Sequence, residues 1–173
     1  MAGAGPLTPA IERRNREAAL RSIAMSGSTA NSDARASRAK FEKLNRDFKQ
    51  LQVVRLGMVS EIKNGRRFEH SRLAKDSAEI RNLATRLRSS LALLPDPAGE
   101  MKPERRGSLD AARIQDAASD LCVQISRFTE NPMFRSGGVY NARHAREADA
   151  ALGDVIRLAT DIKASAEELL RRN

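Results

Sequence analysis

The sequence is poor in cysteine and histidine. A single cysteine, Cys122, stands among 173 residues, so no internal disulfide, CxxC redox motif or multi-cysteine zinc site is possible within this sequence. The two histidines are His70 and His144, and no glutamate precedes either of them by three positions. The Glu-x-x-His pairs of di-iron helical bundles are therefore absent. The sequence predicts neither a metal site nor a cofactor.

Aromatic residues and long apolar runs are also scarce. Five phenylalanines, one tyrosine and no tryptophan argue against a β-sandwich or barrel, whose cores depend on aromatic and β-branched residues. The longest apolar run, residues 91–95, is far shorter than the roughly 18 residues that a membrane-spanning helix needs. Residues 1–25 contain no apolar stretch typical of a signal peptide. We expect no transmembrane segment and a cytoplasmic location.

Sequence signatures of enzymatic chemistry are missing as well. The sequence contains no G-x-S-x-G elbow, no phosphate-binding P-loop and no G-x-G-x-x-G fingerprint. Cys122 follows Leu121 on the apolar side of a predicted helix, which is typical of a small core residue. These observations favour a protein that is not an enzyme.

Four long segments carry apolar residues at spacings that alternate between three and four, which is the signature of an amphipathic helix. The segments are residues 32–63, 71–94, 108–129 and 141–171. An average spacing of 3.5 places each apolar set on one coiled-coil-like seam, and such a seam becomes buried only when another helix packs against it. The seam residues include Leu44, Phe48, Leu51 and Met58 in the first segment, Leu73, Ile80, Ala84 and Leu87 in the second, Ile114, Ala118, Leu121 and Ile125 in the third, and Ala148, Leu152, Val155 and Ala159 in the fourth.

These four seams predict an all-α fold, an antiparallel four-helix bundle formed by residues 31–173. Consecutive helices usually pack as neighbours, which favours an up-down-up-down topology. The linker over residues 95–107 contains three prolines and could reach roughly 43 Å when extended. A crossover connection along the length of the bundle therefore stays open as the alternative.

An additional helix is predicted in the N-terminal arm, residues 1–30. Thr8 and Pro9 form a typical helix start, with proline at the first helical position. The apolar residues of this helix do not share one seam. Three alternatives remain open at this point: the helix lies across one end of the bundle, it binds a partner, or it frays.

Residues with capping chemistry mark the predicted ends of the long helices. Asn64 and Gly65 are expected to end the first one, since glycine tolerates the left-handed conformation that closes a helix. Ser71, Ser108 and Asn141 are candidate N-caps, because their side-chain oxygens accept hydrogen bonds from the first free amides.

Positive charge is concentrated in the first half of the chain. The net charge at pH 7 is +9; residues 1–94 contain nineteen basic and nine acidic residues, whereas residues 95–173 contain twelve and thirteen. A folded bundle would then have a positive side and a nearly neutral side. The densest basic spot is the turn around Arg66 and Arg67, with Arg72 nearby, and we expect these residues to bind a partner. The alternative is a solvated surface with scattered ion pairs.

The loop over residues 130–140 is unusually apolar. Met133, Phe134 and Tyr140 lie in it, although most loops are polar. Two alternatives follow: these side chains bind a partner, or they fold back and cap the open end of the bundle.

Arg55 is a further exception, because it interrupts an apolar seam. Its side chain either extends to the solvent or pairs with an acidic group on another helix.

The leading functional hypothesis is a non-enzymatic interaction or scaffold protein. Its basic surface would dock onto an acidic protein surface, through Arg66, Arg67 and Arg72 and through the 130–140 loop. The first alternative is nucleic-acid binding without sequence specificity, although no aromatic residues accompany the basic ones. The second is a bundle that holds haem or another apolar ligand, with His144 as axial ligand. Attachment to an anionic membrane surface has the least support, because no helix has the required amphipathic pattern.

Overall fold

The computed structural model describes residues 9–25, 34–65, 67–91, 109–135 and 141–172 of the 173. These residues form five α-helices and one short 3-10 helix, and no strand occurs among them, so the predicted all-α fold is confirmed. The α-helices are α1 (Pro9–Met25), α2 (Ala34–Lys63), α3 (His70–Leu91), α4 (Ala111–Thr129) and α5 (Ala142–Arg172); the 3-10 helix covers Pro132–Phe134.

The core is built from the apolar seams of α2 to α5. Because the spacing of three and four keeps one side of each helix apolar, the large side chains of all four helices meet in one cluster. Phe48, Leu51, Leu87 and Leu121 are fully buried there, as their seam positions predict. The contributions of α5 are smaller, since alanine alternates with larger residues along its buried side, at Ala145, Ala148, Ala151, Ala159 and Ala166. Small side chains allow neighbouring helices to pack closely.

Each of the helices α2 to α5 packs along two others. Helix α2 contacts α3 and α4, and α5 contacts the same two helices from the other side of the core. Interhelical pairs show that α2 and α3 are antiparallel, because Asp47 meets Arg86 while Glu61 meets Arg72. Helices α3 and α4 are therefore not neighbours along their length, although they follow each other in the chain.

The direction of α4 follows from its contacts with α2 and α5. Phe48 of α2 meets Phe128 near the end of α4, whereas Arg55, two turns later in α2, meets Cys122. Helices α2 and α4 are thus antiparallel. At the start of α4, the amide of Leu109 donates to Oγ of Ser165, which lies near the end of α5 (3.0 Å), so α4 and α5 are antiparallel too.

These directions correct the favoured up-down-up-down topology. The order is α2 up, α3 down, α4 down and α5 up, and the neighbour relations place α3 and α4 on a diagonal. The end of α3 and the start of α4 therefore lie at opposite ends of the bundle, as a crossover connection requires. The sequence had left this crossover open, and the preference for neighbouring consecutive helices did not decide it because the linker is long enough to span the bundle.

Helix α1 packs alongside the first half of α2 and against the 3-10 helix. Ala19 and Leu20 are buried in this contact. The guanidinium of Arg16 lies over the ring of Phe48, 5.4 Å from its centroid, and Arg21 lies over Phe41 at 5.3 Å. Cation–π contacts of this kind stabilise a helix that offers little apolar surface of its own.

Of the four predicted capping sites, two are confirmed, one is wrong and one lies outside the described residues. Gly65 has a positive φ of 63° and follows the last turn of α2, and the Asn141 side chain accepts from the amide of Arg143 (2.9 Å). The cap of α4 is Asp110, whose carboxylate accepts from the amides of residues 112 and 113. Ser108 lies outside the described residues. Ser71 is not a cap, because α3 begins one residue earlier and its hydroxyl donates to Glu69.

Candidate partner-binding surface

One of the three arginines of the predicted basic spot at the α2–α3 turn is paired with carboxylates of the fold. Arg72 forms an ion pair with Glu61 of α2, and its Nε lies 3.7 Å from Asp76 on the next turn of α3. Burial raises the pKa of the Asp76 carboxyl, and the charge of Arg72 opposes this shift. Arg67 is exposed, whereas Arg66 lies outside the described residues. Arg72 therefore links α2 to α3 rather than offering a free positive charge.

The predicted apolar partner site in the 130–140 loop needs correction. Met133 and Phe134 are buried, with exposed fractions of 7% and 1%. The ring of Phe134 packs edge-on against Phe48 and Phe128, with centroids 5.1 and 5.2 Å apart. These residues therefore cap the core, which is the alternative that the sequence left open. Tyr140 lies outside the described residues.

Asn131 holds this cap in place. Its side-chain oxygen accepts from the amide of Met133 (2.9 Å), and its Nδ2 donates to the carbonyl of His144 on α5 (3.1 Å). One buried amide side chain thus begins the 3-10 helix and joins it to the first turn of α5. The backbone oxygen of His144 is used in a structural contact.

The arginines near the end of α3 form internal ion pairs. Arg86 donates from Nε and Nη2 to Asp47 of α2, at 2.9 and 2.8 Å, and Arg88 does the same to Asp149 of α5 at 2.7 Å. The hydrogen bonds to Asp149 raise the pKa of Arg88, and burial partly opposes this. The charges of these two arginines are therefore satisfied inside the fold.

Arg55 reaches the edge of the bundle, the first of the two predicted forms, where it lines an open cleft. It is half-buried, and its Nε donates to the backbone carbonyl of Cys122 in α4 (3.2 Å). The charged side chain thus links two helices through a main-chain oxygen, with no carboxylate involved. Cys122 itself is buried, and this burial raises the pKa of its thiol to about 11, although the charge of Arg55 acts in the opposite direction.

Exposed and unpaired basic residues remain on the outer side of α2. We call this set the α2 basic face; its members are Arg35, Arg38, Lys43, Arg46 and Lys49. All five are exposed, and none forms an ion pair with another residue that the structure describes. One acidic residue, Glu42, lies among them. At 100° per residue these positions point away from the buried seam of Leu44, Phe48 and Leu51.

The sequence alone singled out Arg72, which is paired with Glu61 in the structure, together with Arg66 and Arg67, whose role in partner binding stays a prediction. The spacing of the buried seam could have located the α2 basic face, because the residues opposite that seam must face solvent. It could not have shown that Arg72, Arg86 and Arg88 are paired. Those pairs depend on which helices are neighbours.

A cleft lies beside this face, where α1, α2 and the end of α4 meet. Its volume is about 220 Å³, below the roughly 300–1,000 Å³ typical of small-molecule sites. The charged residues that line it include Arg16, Arg55 and Arg135, together with Glu12 and Glu130. Leu56 lines the cleft as well and is 58% exposed. The charged lining of the cleft is therefore mixed, with three arginines and two glutamates.

Two further findings concern metal-ligand clusters and membrane-spanning helices. Among residues that the structure describes, no three histidine, cysteine or acidic side chains come together as metal ligands. In the same parts of the chain, none of the helices has the length and apolarity needed to cross a bilayer.

Comparison with known proteins assigns no relatives to the chain: no family model, no curated protein and no solved structure matches it.

Proposed function

We propose that this protein is a non-enzymatic docking module whose α2 basic face binds an acidic surface of a partner protein. The observation that carries the proposal is the contrast between two groups of basic residues. Arg72, Arg86 and Arg88 are held by carboxylates of the fold. The five basic residues of the α2 basic face are exposed and unpaired within the described parts of the chain.

The charge distribution among the helices supports this choice of surface. Helix α2 contains eight basic and three acidic residues, whereas α5, on the diagonal of the bundle, contains six of each. The resulting field points from one side of the molecule and attracts anionic partners to that side. Long-range attraction raises the association rate more than it strengthens the final complex. We therefore expect moderate affinity and a marked dependence on salt.

Charge reversal on α2 tests the proposal. The probe is polyglutamate, and its binding to the full chain is measured by fluorescence anisotropy at low and at physiological ionic strength. The double variant Arg46→Glu and Lys49→Glu should weaken binding by about tenfold or more at low salt. Both side chains are exposed and unpaired, so the fold should not change.

The matched control reverses two exposed arginines on α5. Arg146→Glu with Arg171→Glu changes the net charge by the same amount on the opposite side of the bundle, and neither arginine forms an ion pair with another residue that the structure describes. This control has the same net charge as the α2 double variant. Its affinity for polyglutamate should nevertheless stay within about twofold of that of the unmodified chain. Equal losses in the two double variants would overturn the proposal, because binding would then depend on net charge alone.

Nucleic acid is tested in a parallel arm. Single-stranded and duplex DNA replace polyglutamate, and the slope of affinity against salt is measured. Binding to DNA that is much tighter than binding to polyglutamate, and that also requires Arg46 and Lys49, would replace the proposal with the nucleic-acid alternative. Vesicles with and without anionic lipid provide the same comparison for a membrane surface.

A further inference from the structure

The outer side of α2 carries a second stripe at helical spacing. Its members, which we call the outer stripe, are Arg46, Lys49, Val53, Leu56 and Ser60. Their spacings alternate between three and four, as in the buried seam, so the five side chains follow one line along the helix. All five are exposed. Helix α2 thus has one apolar seam inside the fold and a second, mixed seam facing outward.

The centre of the outer stripe is apolar. Val53 and Leu56 are 60% and 58% exposed, the highest values among large apolar side chains in the described residues. Single exposed apolar residues are common and need no explanation. These two lie one turn apart, with basic residues on the preceding two turns. That arrangement resembles one half of a helix–helix interface, in which apolar residues pack at the centre and charges select the partner.

We propose that the outer stripe binds an amphipathic acidic helix of a partner protein, an inference that rests on the proposed function and names the class of partner. Apolar side chains spaced by three or four on that helix would pack on Val53 and Leu56. Carboxylates on its adjoining turns would meet Arg46 and Lys49. The cleft beside Leu56 is lined by both arginines and glutamates, so the charge complementarity of the proposed interface rests on Arg46 and Lys49.

Charge complementarity excludes a second copy of α2 as the favoured occupant. In a dimer whose two α2 helices packed antiparallel, with Val53 and Leu56 at the centre, Arg46 of one chain would lie close to Lys63 of the other. In a parallel arrangement, Lys49 would face Lys49. Like charges at such positions oppose pairing, whereas carboxylates at the same positions favour it.

The apolar pair also separates a protein partner from a nucleic acid. Val53 and Leu56 provide no ring on which a base could stack, and an aliphatic centre gains nothing from phosphate contacts. Burial of two aliphatic side chains against a partner helix removes apolar surface from water, which is the main favourable term in protein association.

The experiment compares two synthetic peptides of equal length and charge. One is a helical peptide with glutamates and a leucine stripe at spacings of three and four; the other has the same composition with its leucines distributed around the helix. The unmodified chain should bind the striped peptide about tenfold more tightly than the scrambled one. Equal binding of the two peptides would overturn the inference.

Removal of the apolar centre provides the second test. Val53→Gln with Leu56→Gln removes apolar surface without a change in charge, and it should weaken binding of the striped peptide about tenfold. The control is Val123→Gln on α4, a valine with a similar exposed fraction of 55% that lies off the stripe. It should leave the affinity within about twofold. Equal effects of the two changes, or no effect of either, would contradict the inference.

Failure of this inference is distinguishable from failure of the proposed function. Polyglutamate has no apolar side chains, so its binding should require Arg46 and Lys49 but not Val53 or Leu56. If polyglutamate binds normally and the striped peptide has no advantage, the docking function stands and only the helical partner is wrong. If no acidic probe binds at low salt, the proposed function itself is wrong and the inference falls with it.

Discussion

Arg88 of α3 holds the buried carboxylate of Asp149 in α5 with two hydrogen bonds of 2.7 Å each. Asp149 is only 2% exposed, so its charge depends on this one guanidinium for compensation. Two residues earlier, Arg86 forms the same two-pronged contact with Asp47 of α2. Residues two apart point to different sides of a helix, because each residue turns by about 100°. The last turns of α3 are thereby joined to both of its neighbours.

We expect removal of Arg88 to destabilise the protein strongly. In Arg88→Met the apolar stem stays while the guanidinium is lost, which leaves the Asp149 carboxylate buried and uncompensated. Because Asp149 is buried while the Arg88 side chain is 44% exposed, we expect the loss to cost about 2 kcal/mol of unfolding free energy. Urea denaturation followed by circular dichroism measures the change.

The control for this prediction is Arg146→Met, the same substitution at an exposed position on α5. It should change the unfolding free energy by no more than about 0.5 kcal/mol. Replacing both partners, as in Arg88→Met with Asp149→Leu, should recover most of the lost stability, because no buried charge is left. A small effect of Arg88→Met alone would show that Asp149 is solvated in solution.

The helices and the core could be predicted from the sequence because both depend on local periodicity. Spacings of three and four place Leu44, Phe48 and Leu51 on one side of α2, whatever the neighbour of that side turns out to be. The same reasoning placed Ile114 and Leu121 in the core. Periodicity gives no information about which helices are adjacent, so the favoured topology was decided by a general preference and was wrong.

The candidate surface depended on that missing information. The charge of Arg88 is neutralised by a residue 61 positions away, and that of Arg72 by Glu61 across a turn. A sum of charges along the chain counts such residues as free. Met133 and Phe134 illustrate the converse problem, since the sequence left open whether they bind a partner or cap the core and could not show that Phe134 packs on Phe48 of a distant helix.

Helix α1 should detach from the bundle when its buried leucine is shortened. Leu20 is fully buried and belongs to the core cluster. Leu20→Ala should lower the local stability of α1 by about 2–3 kcal/mol. Hydrogen exchange detected by mass spectrometry should show faster exchange in α1 and little change in α3. Equal acceleration in both helices would contradict this prediction, because α1 would then unfold only with the whole domain.

The Cys122 thiol should be unreactive in the folded protein. Burial raises its pKa to about 11, so the thiolate is a very small fraction at pH 8 and grows as the pH approaches that value. Labelling by a disulfide reagent at pH 8 should be at least about a hundredfold slower than in denaturant. The control is Val123→Cys in a Cys122→Ala background, where the thiol is exposed and should react at the rate of a free cysteine. Similar rates for the two thiols would contradict the burial of Cys122.

Because α3 and α4 are joined across the length of the bundle, shortening their linker should disrupt the fold, whereas lengthening it should have little effect. Helix α3 ends at Leu91, and α4 begins at Ala111 at the other end of the bundle. The distance between these two helix ends is therefore about the length of α3, roughly 33 Å. Deletion of all of residues 95–107 would leave six residues between the two helices, which span at most about 25 Å. We expect this shortened chain to unfold or to exchange helices between two copies, as seen by size-exclusion chromatography with light scattering.

Insertion of ten glycine and serine residues in the same region is the control. A longer loop costs less than about 1 kcal/mol, because closure entropy grows only slowly with length. The inserted chain should therefore stay monomeric if the unmodified chain is monomeric, with nearly unchanged stability. An up-down-up-down bundle would give the opposite result for the deletion, since a connection between adjacent helix ends needs only a few residues. A stable, unexchanged deletion variant would thus exclude the crossover.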